Sequence, residues 1–451
     1  MHFLDVLSGE CFDRFAVWPV GNDDEFRDVA VLPPQHLGAE VSGDGADFQD
    51  AGVVEVLLLA QHRLRETLKT PSNERQRALQ ILRRIERESA YASLVLQNDS
   101  GFVRTLVLGV LRWRSRLDFV IDSFAKGDIE PEIRDILRIG ALQLLFMNVA
   151  SHAAVSETVG LVPLRARGFV NAILRRISSK PIPEPPDVAT RTAHPRWLIE
   201  RWTKSFGAER AAMIAAANQE LSFPDVITDA PPTDAAESEL VPGMWKLTGS
   251  SADVDGIVLD EGSAVVAGIA AALGDDVLDL AAAPGGKSRV IRARGAHVVS
   301  NDISITRLRP LIGKSASIVV SDGRQPPFAR QFRVVLLDAP CSATGTIRKN
   351  PEIKWRLQEA DLTSFASLQR ELLASALDLA SESVVYATCS LEPEENDDIV
   401  AGVLRTRTDF VRRDVADLVN ENVARWVENG VLRLTPEAET DGFTAHWLRR
   451  A

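Results

Sequence analysis

From Ser72 to about Ile177, apolar residues recur at three- and four-residue intervals through RALQILRRIERES, FVRTLVLGVLRWRSRLDFVIDSFA, EIRDILRIGALQLLFMNV, SHAAVSETVGLV and ARGFVNAILRRI. That spacing places the apolar side chains on one face of each helix, and Ser72, Pro131 and Ser151 punctuate helix starts. An all-helical unit is expected. From about Gly256 the texture changes: DDVLDLA, AHVVSND, SIVVSD, FRVVLLDA and ESVVYATC are short apolar runs that alternate with helical stretches, as in a parallel α/β sheet covered on both faces.

Between the two units, KPIPEPPDVA carries four prolines and reads as an extended linker. It is followed by HPRWLIERWTKSFGAERAAMIAAANQE, which reads as helical, and then by mixed residues with weak strand signals. Residues 1–70 hold loop-like material around VVEVLLLAQHRL. The expected organisation is an atypical, mobile extension over 1–70, a helical domain over 71–180, a linker and small connecting subdomain over 181–255, and an α/β domain over 256–451.

Composition narrows the class. Hydrophobic residues make up 45% and charged residues 25% of the 451 residues, as in ordinary globular chains. No run of about 18 uncharged apolar residues exists, and MHFLDVLSGECFDRF lacks the basic start and sustained apolar core of a secretory signal, so a cytoplasmic protein is expected. The net charge of −12 argues against a generally basic nucleic-acid binder, yet it hides an asymmetry. Residues 1–70 carry −8, whereas residues 71–183 carry +6. With only Cys11, Cys341 and Cys389, far apart, neither a disulfide framework nor a metal site is expected.

Ligands of open parallel sheets bind at the carboxyl ends of the strands. Here those positions hold Asp279, then AAAPGGKS, Asp302, Asp322, Asp338 with Cys341, and Cys389. Any one strand-end Asp is more often a turn or cap residue, and a cysteine is often a small core residue. Five in succession point instead to a site. AAAPGGKS ends like a phosphate-binding loop, but Ala281 stands where that pattern demands glycine, so the phosphate-loop reading fails. A Gly-Gly turn can still let the backbone approach a ligand, and Asp302 at the next strand end is placed to accept hydrogen bonds from ribose hydroxyls. A nucleoside-bearing cofactor fits both.

DLAAAPGGKS, DAPCSATGTIRKNPEIKW, YATCSLEPEEN and RLTPEAETDGF together strongly resemble the bacterial Sun/RsmB-type 16S rRNA (cytosine-5) methyltransferases. Upstream, FVRTLVLGVLRWRSRLDFVIDSF, IRDILRIGALQLLFM, SHAAVSETVGL and FVNAILRRI are similar to the NusB-like RNA-binding domain of that type, and HPRWLIERWTKSFG to its connecting segment. The resemblance spans roughly residues 72–451. It implies a NusB-like all-α domain followed by a Rossmann-like class I methyltransferase domain, with S-adenosylmethionine as cofactor and 16S rRNA as partner; nothing in the sequence demands an oligomer, and a monomer without a metal is expected.

By the same resemblance Cys389 is the nucleophile that adds to C6 of cytosine, and Cys341 assists release of the methylated base. Asp338 contacts the base near N3, Lys287 stands in the site, and Pro340 stiffens the loop presenting Cys341. The loop Ala281, Ala282, Ala283, Pro284, Gly285, Gly286, Lys287 would surround the amino-acid end of the cofactor, with Asp302 at the ribose, Asp322 near the adenine and Asp338 beside them. The family often has cysteine where Ala281 stands and an acid where Ser304 stands, and the segment between Asp302 and Asp322 is short.

Two alternatives stay open from the residues: a tRNA cytosine-5 methyltransferase, and a non-catalytic protein binding RNA or a transcription factor. Arg348, Lys349 and Lys354 flank the Cys341 motif and are expected to meet RNA phosphates. Arg83, Arg84, Arg112, Arg114, Arg116, Arg175 and Arg176 form either an RNA-facing surface or a solvated face. Trp197 and Trp202 are expected as core anchors, His152 as structural, and Cys11 as incidental.

Overall fold

The computed structural model describes residues 71–451 except 148, 250–253 and 315–316; the N-terminal extension with Cys11 lies outside the described residues. Helices Pro71–Glu88, Gly101–Phe124, Pro131–Leu145, Ser151–Gly160 and Leu164–Ser179 realise the sequence periodicity. Their apolar faces meet in one core that includes Leu106, Val110, Ile121, Leu137, Leu142 and Leu174. Gly109 and Gly140 let these helices cross closely, because a Cβ there would stand 2.7 Å from Leu142 and 2.8 Å from Leu174. Ser100 caps the longest helix by accepting from Val103 N at 3.3 Å, and Pro131 occupies the first turn of its own helix.

Helices Arg196–Phe206 and Ala208–Ala217 follow the proline-rich stretch, and Trp202 is 1% exposed between them and the α/β unit, as its expected core role requires. The mixed segment forms a small antiparallel sheet of β1 (Asp225–Ile227), β2 (Ala236–Glu237), β3 (Met244–Lys246) and β4 (Ile257–Val258), in the order β2-β3-β1-β4.

The α/β unit contains β5 (Asp276–Asp279), β6 (His297–Asp302), β7 (Ser317–Val320), β8 (Phe332–Asp338) and β9 (Ala380–Thr388), the five runs read from the sequence. They pair in parallel in the order β9-β8-β5-β6-β7. Successive residues serve opposite faces. Val277, Val334, Leu336 and Val385 pack under helix Glu261–Leu273, while Leu278, Val335, Leu337 and Val384 pack under helix Asp361–Leu379. The sequence reading of a parallel sheet is incomplete at one edge, where β10 (Phe410–Arg413), β11 (Val427–Glu428), β12 (Val431–Leu434) and β13 (Phe443–Arg450) join antiparallel through β13. Among the described residues no helix is long and apolar enough to cross a membrane.

The segment after the first cysteine motif joins the two units. Lys354 is 1% exposed and donates from Nζ to the carbonyls of Arg112 and Ala193 at 2.8 Å each. Trp355 Nε1 donates to Leu111 O at 2.6 Å, Arg112 Nη2 to Arg348 O at 2.6 Å, and Ala92 N to Glu352 Oε1 at 3.0 Å. Arg348 also donates to Glu439 O at 2.8 Å, and Lys349 contacts Asp260, with Asp441 at 3.3 Å. The expectation that Arg348, Lys349 and Lys354 face RNA phosphates is therefore corrected, as is that for Arg112. Their side chains satisfy buried carbonyls and carboxylates, and a charge enters such an interior only with those partners. Of the other arginines, Arg84 pairs with Glu88 and Arg114 with Glu86, while Arg175 is exposed.

Lys354→Met keeps the aliphatic length but removes a donor from both the Arg112 and the Ala193 carbonyls, of which only Arg112 lies within a helix and keeps a backbone partner there. A loss of about 2 kcal/mol or more in unfolding free energy is expected in urea titrations, against a change near zero for Arg84→Ala on the exposed helix face.

Candidate functional site

The carboxyl ends of β5, β6, β8 and β9 open into one cleft. Its walls include Ala281 and Ala283 after β5, Asp302 at the end of β6, Asp338 and Cys341 after β8, and Cys389 after β9. Asp322 and Arg324 close one end, and Phe365, Leu368 and Leu372 of helix Asp361–Leu379 supply an apolar side.

The loop after β5 is built by a buried carboxyl. Asp279, 1% exposed, accepts from Ser288 Oγ at 2.7 Å, and Ser300 Oγ donates to Ser288 Oγ at 2.8 Å, which ties the start of helix Gly286–Ala293 to β5 and β6. Burial pushes the Asp279 carboxyl up to about 7, and its Oδ1 has no partner. Gly285 has φ +107°, and a Cβ there would lie 2.2 Å from Leu311, so this turn requires glycine twice over. Ala282 packs against Leu308 and Leu311, and Pro284, Gly285, Gly286 and Lys287 lie off the lining of the cleft.

Asp302 is 4% exposed and accepts two backbone amides, Ala283 N at 3.1 Å and Ser304 N at 3.0 Å. A carboxylate has about four acceptor sites, so capacity remains for hydroxyl donors. Ser304 does not replace the missing acid but caps the next turn, accepting from Arg307 N at 3.3 Å. Asp322 is held by Arg324 at 2.7 Å, and that guanidinium keeps its carboxyl below the usual range.

Lys287 reaches across to Asp338 at 2.6 Å and to Ser263 Oγ at 3.2 Å, with its ammonium 4.9 Å from the centre of the Phe443 ring. Burial works against that ammonium, but the Asp338 carboxylate outweighs it and the pKa of Lys287 is raised. The two thiols meet at the mouth of the loops, with Cys341 Sγ and Cys389 Sγ 3.3 Å apart. Hydrogen bonding to Cys389, together with burial, pushes the Cys341 thiol well up. Either sulfur can donate to the other at this distance.

Ser263, Phe443, Arg307 and Arg324 escaped the sequence reading. Phe443 lies within the quoted RLTPEAETDGF motif, but Ser263 had no local signal, because only the packing of helix Glu261–Leu273 brings it to Lys287. Among the described residues, no group of three or more His, Cys, Asp or Glu side chains could hold a metal ion.

Comparison with known proteins gives matches across most of the chain. Residues 268–449 match the model for the 16S rRNA methyltransferase RsmB/F, and residues 72–179 that for the NusB family. A protein of Mycobacterium tuberculosis strain H37Rv is 33% identical over 440 residues, covering 83% of this chain and 96% of its own length. The ribosomal RNA small subunit methyltransferase B of Citrobacter koseri is 30% identical over 396 residues, covering 77% of this chain and 90% of its own. Among solved structures, the crystal structure of PH0851 is similar in fold, with a TM-score of 0.67 and 23% identity over 85% of this chain and all of its own.

The buried Asp279 makes a pH prediction. Its carboxyl lies at about 7 when folded and near 3.8 otherwise, so the folded chain holds a proton that the unfolded chain has released, and stability falls as pH rises from about 4 to 7. Asp279→Asn keeps an acceptor for Ser288 and removes this loss. The unfolding free energy of the variant, followed by urea titration between pH 5 and 7, is expected to have a shallower slope by up to about 1.4 kcal/mol per pH unit.

Proposed function

The chain belongs to the RsmB/F family of RNA methyltransferases, and from that premise we propose that it methylates C5 of a cytosine in 16S rRNA through a covalent bond between Cys389 and C6. The observation that carries this reading is the pair of thiols 3.3 Å apart in the cleft that also holds Asp338. A single nucleophile would need one sulfur. Two are useful when a base must be attacked and later released.

C5 of cytosine is a poor nucleophile until a sulfur adds to C6 and makes the ring an enamine. Cys389 supplies that sulfur. As the S–C6 bond forms, negative charge moves toward N3, which Asp338 contacts in this reading, and the Lys287 ammonium, 2.6 Å from that carboxylate, offsets the charge gathered there. Once C5 has taken the methyl group, a base accepts the C5 proton, the C–H electrons restore the C5–C6 double bond, the S–C6 bond breaks, and the Cys389 sulfur leaves with its electron pair. Cys341 stands beside that sulfur and assists the release. The target base must leave its stack to reach sulfurs at the carboxyl edge of a buried sheet.

S-Adenosylmethionine supplies the electrophilic methyl group when bound. The residues present suit it: Asp302 retains acceptor capacity for ribose hydroxyls, Asp322 lines the same cleft for the adenine, and of the Ala281–Lys287 turn Ala281 and Ala283 line the cleft for the amino-acid end. The apolar wall of Phe365, Leu368 and Leu372 shields the space between. In this reading residues 71–180 form the RNA-binding helical module, 181–255 the connecting part and 256–451 the catalytic domain.

The test is methyl transfer from labelled S-adenosylmethionine to protein-free small-subunit rRNA, with tRNA as the competing acceptor. Wild type is expected to make labelled 5-methylcytosine in rRNA, Cys389→Ala none, and Cys341→Ala a protein–RNA adduct that persists on denaturing gels. Asp338→Asn is expected to lower kcat by about 10²–10⁴-fold. Label in tRNA alone, or in a base other than cytosine, would overturn the proposal.

A further inference from the structure

Glu395 is fully buried between the two cysteine loops, and its carboxylate gathers donors from both. Oε1 accepts from Ser342 N at 2.8 Å and from Gln369 Nε2 at 3.1 Å. Oε2 accepts from the hydroxyl of Ser342 and from Ser390 Oγ at 2.5 Å. Ser342 follows Cys341, and Ser390 follows Cys389.

Other contacts also bridge the loops, the thiol pair and Thr344 Oγ1 to Ser390 Oγ at 3.5 Å among them. The two serine hydroxyls are 3.0 Å apart, Gly345 N donates to Cys389 O at 2.9 Å, and Thr344 Oγ1 accepts from Leu391 N at 2.9 Å. Gln369, which touches Glu395, also donates to Pro340 O at 2.8 Å, and Tyr386 OH donates to the Glu395 carbonyl at 2.6 Å. The carboxylate is thus the point where both loops, helix Asp361–Leu379 and β9 converge. A buried carboxyl is costly unless its acceptors are filled, so the loops are held to the one arrangement that fills them.

We propose that Glu395 is a positioning residue that sets the separation of the Cys341 and Cys389 sulfurs by clamping Ser342 and Ser390. It touches neither substrate nor cofactor, and its effect on catalysis passes through the two thiols. The catalytic part of this inference rests on the function proposed above; the clamping part does not. Loss of the clamp lets the sulfurs drift apart, which slows the chemical step and leaves RNA and cofactor binding in place.

The full chain with Cys11→Ser, so that only the site thiols react, is bridged with dibromobimane and the rate read by fluorescence. Wild-type Glu395 is expected to give rapid bridging, and Glu395→Ala at least a tenfold slower rate. Glu395→Gln, whose amide can fill the same positions with the serine hydroxyls turned to accept, is expected to stay within about threefold. In methyl transfer, Glu395→Ala should lower kcat by tenfold or more, with KM for RNA and the affinity for S-adenosylhomocysteine within threefold. If Glu395→Ala does not fold, the Ser342→Ala/Ser390→Ala double variant replaces it in both measurements.

Bridging at the wild-type rate in the folded variant overturns the clamp. So does a kcat loss accompanied by an equal loss of cofactor affinity, which marks a general structural defect. If wild type methylates no cytosine while bridging still depends on Glu395, the clamp stands and the proposed function falls.

Discussion

The register of two neighbouring parallel strands underlies everything at the site. β8 and β9 pair with Leu337 opposite Tyr386 and Asp338 opposite Ala387, and Ala339 N continues the ladder to Ala387 O at 2.8 Å. Cys341 and Cys389 therefore leave the same edge of the sheet within a few residues of the last pair. A shift of one residue in this pairing would turn the side chains of one strand to the other face and separate the thiols. Both strands are buried on both faces, by helix Glu261–Leu273 on one and helix Asp361–Leu379 on the other, so such a shift would exchange one set of core contacts for another that does not fit.

Around that register, buried carboxyls fix the loops that the apolar packing of the strands leaves free. Asp279 fixes the start of the Gly-Gly turn, Glu395 joins the cysteine loops, and Asp260 and Asp441 hold Lys349. Burial pushes Asp279, Glu395 and Asp441 up to about 7, whereas the Lys349 ammonium, outweighing burial, keeps Asp260 at about 2. Each such group costs free energy unless its partners are in place, which converts loop position into a condition of folding. Glu392 extends the arrangement outward: it accepts from Trp202 Nε1 at 3.1 Å and from Arg201 Nε at 2.9 Å, so the connecting helix braces the loop that carries Cys389.

The helical unit is joined to the same machinery. The stretch from Arg348 to Arg356 begins a few residues after Cys341 and ends against Tyr91, whose ring lies 3.9 Å from the Arg356 guanidinium. With Lys354, Trp355 and Glu352 also reaching across, the loop bearing Cys341 is continuous with the seam between the units. Basic residues that read as phosphate contacts in isolation are spent on this seam. The positive balance of residues 71–183 remains, carried by exposed side chains such as Arg175.

The sequence by itself determined five helices of the first unit, the five parallel strands and the convergence of Asp302, Asp338, Cys341 and Cys389 on one edge. These follow from period and from the rule that ligands meet strand ends, which are local properties of the chain. Only the tertiary structure decided that Lys354 would be buried, that Ser263 would meet Lys287, and that one glutamate would bind both cysteine loops. The antiparallel edge built by β10 to β13 belongs with these, since β10 and β12 pair with β13, and only β13 pairs with β9. A basic side chain reads the same in a one-dimensional pattern whether it meets water or a buried carbonyl. What separates the two cases is which distant backbone arrives beside it, and that is fixed by packing.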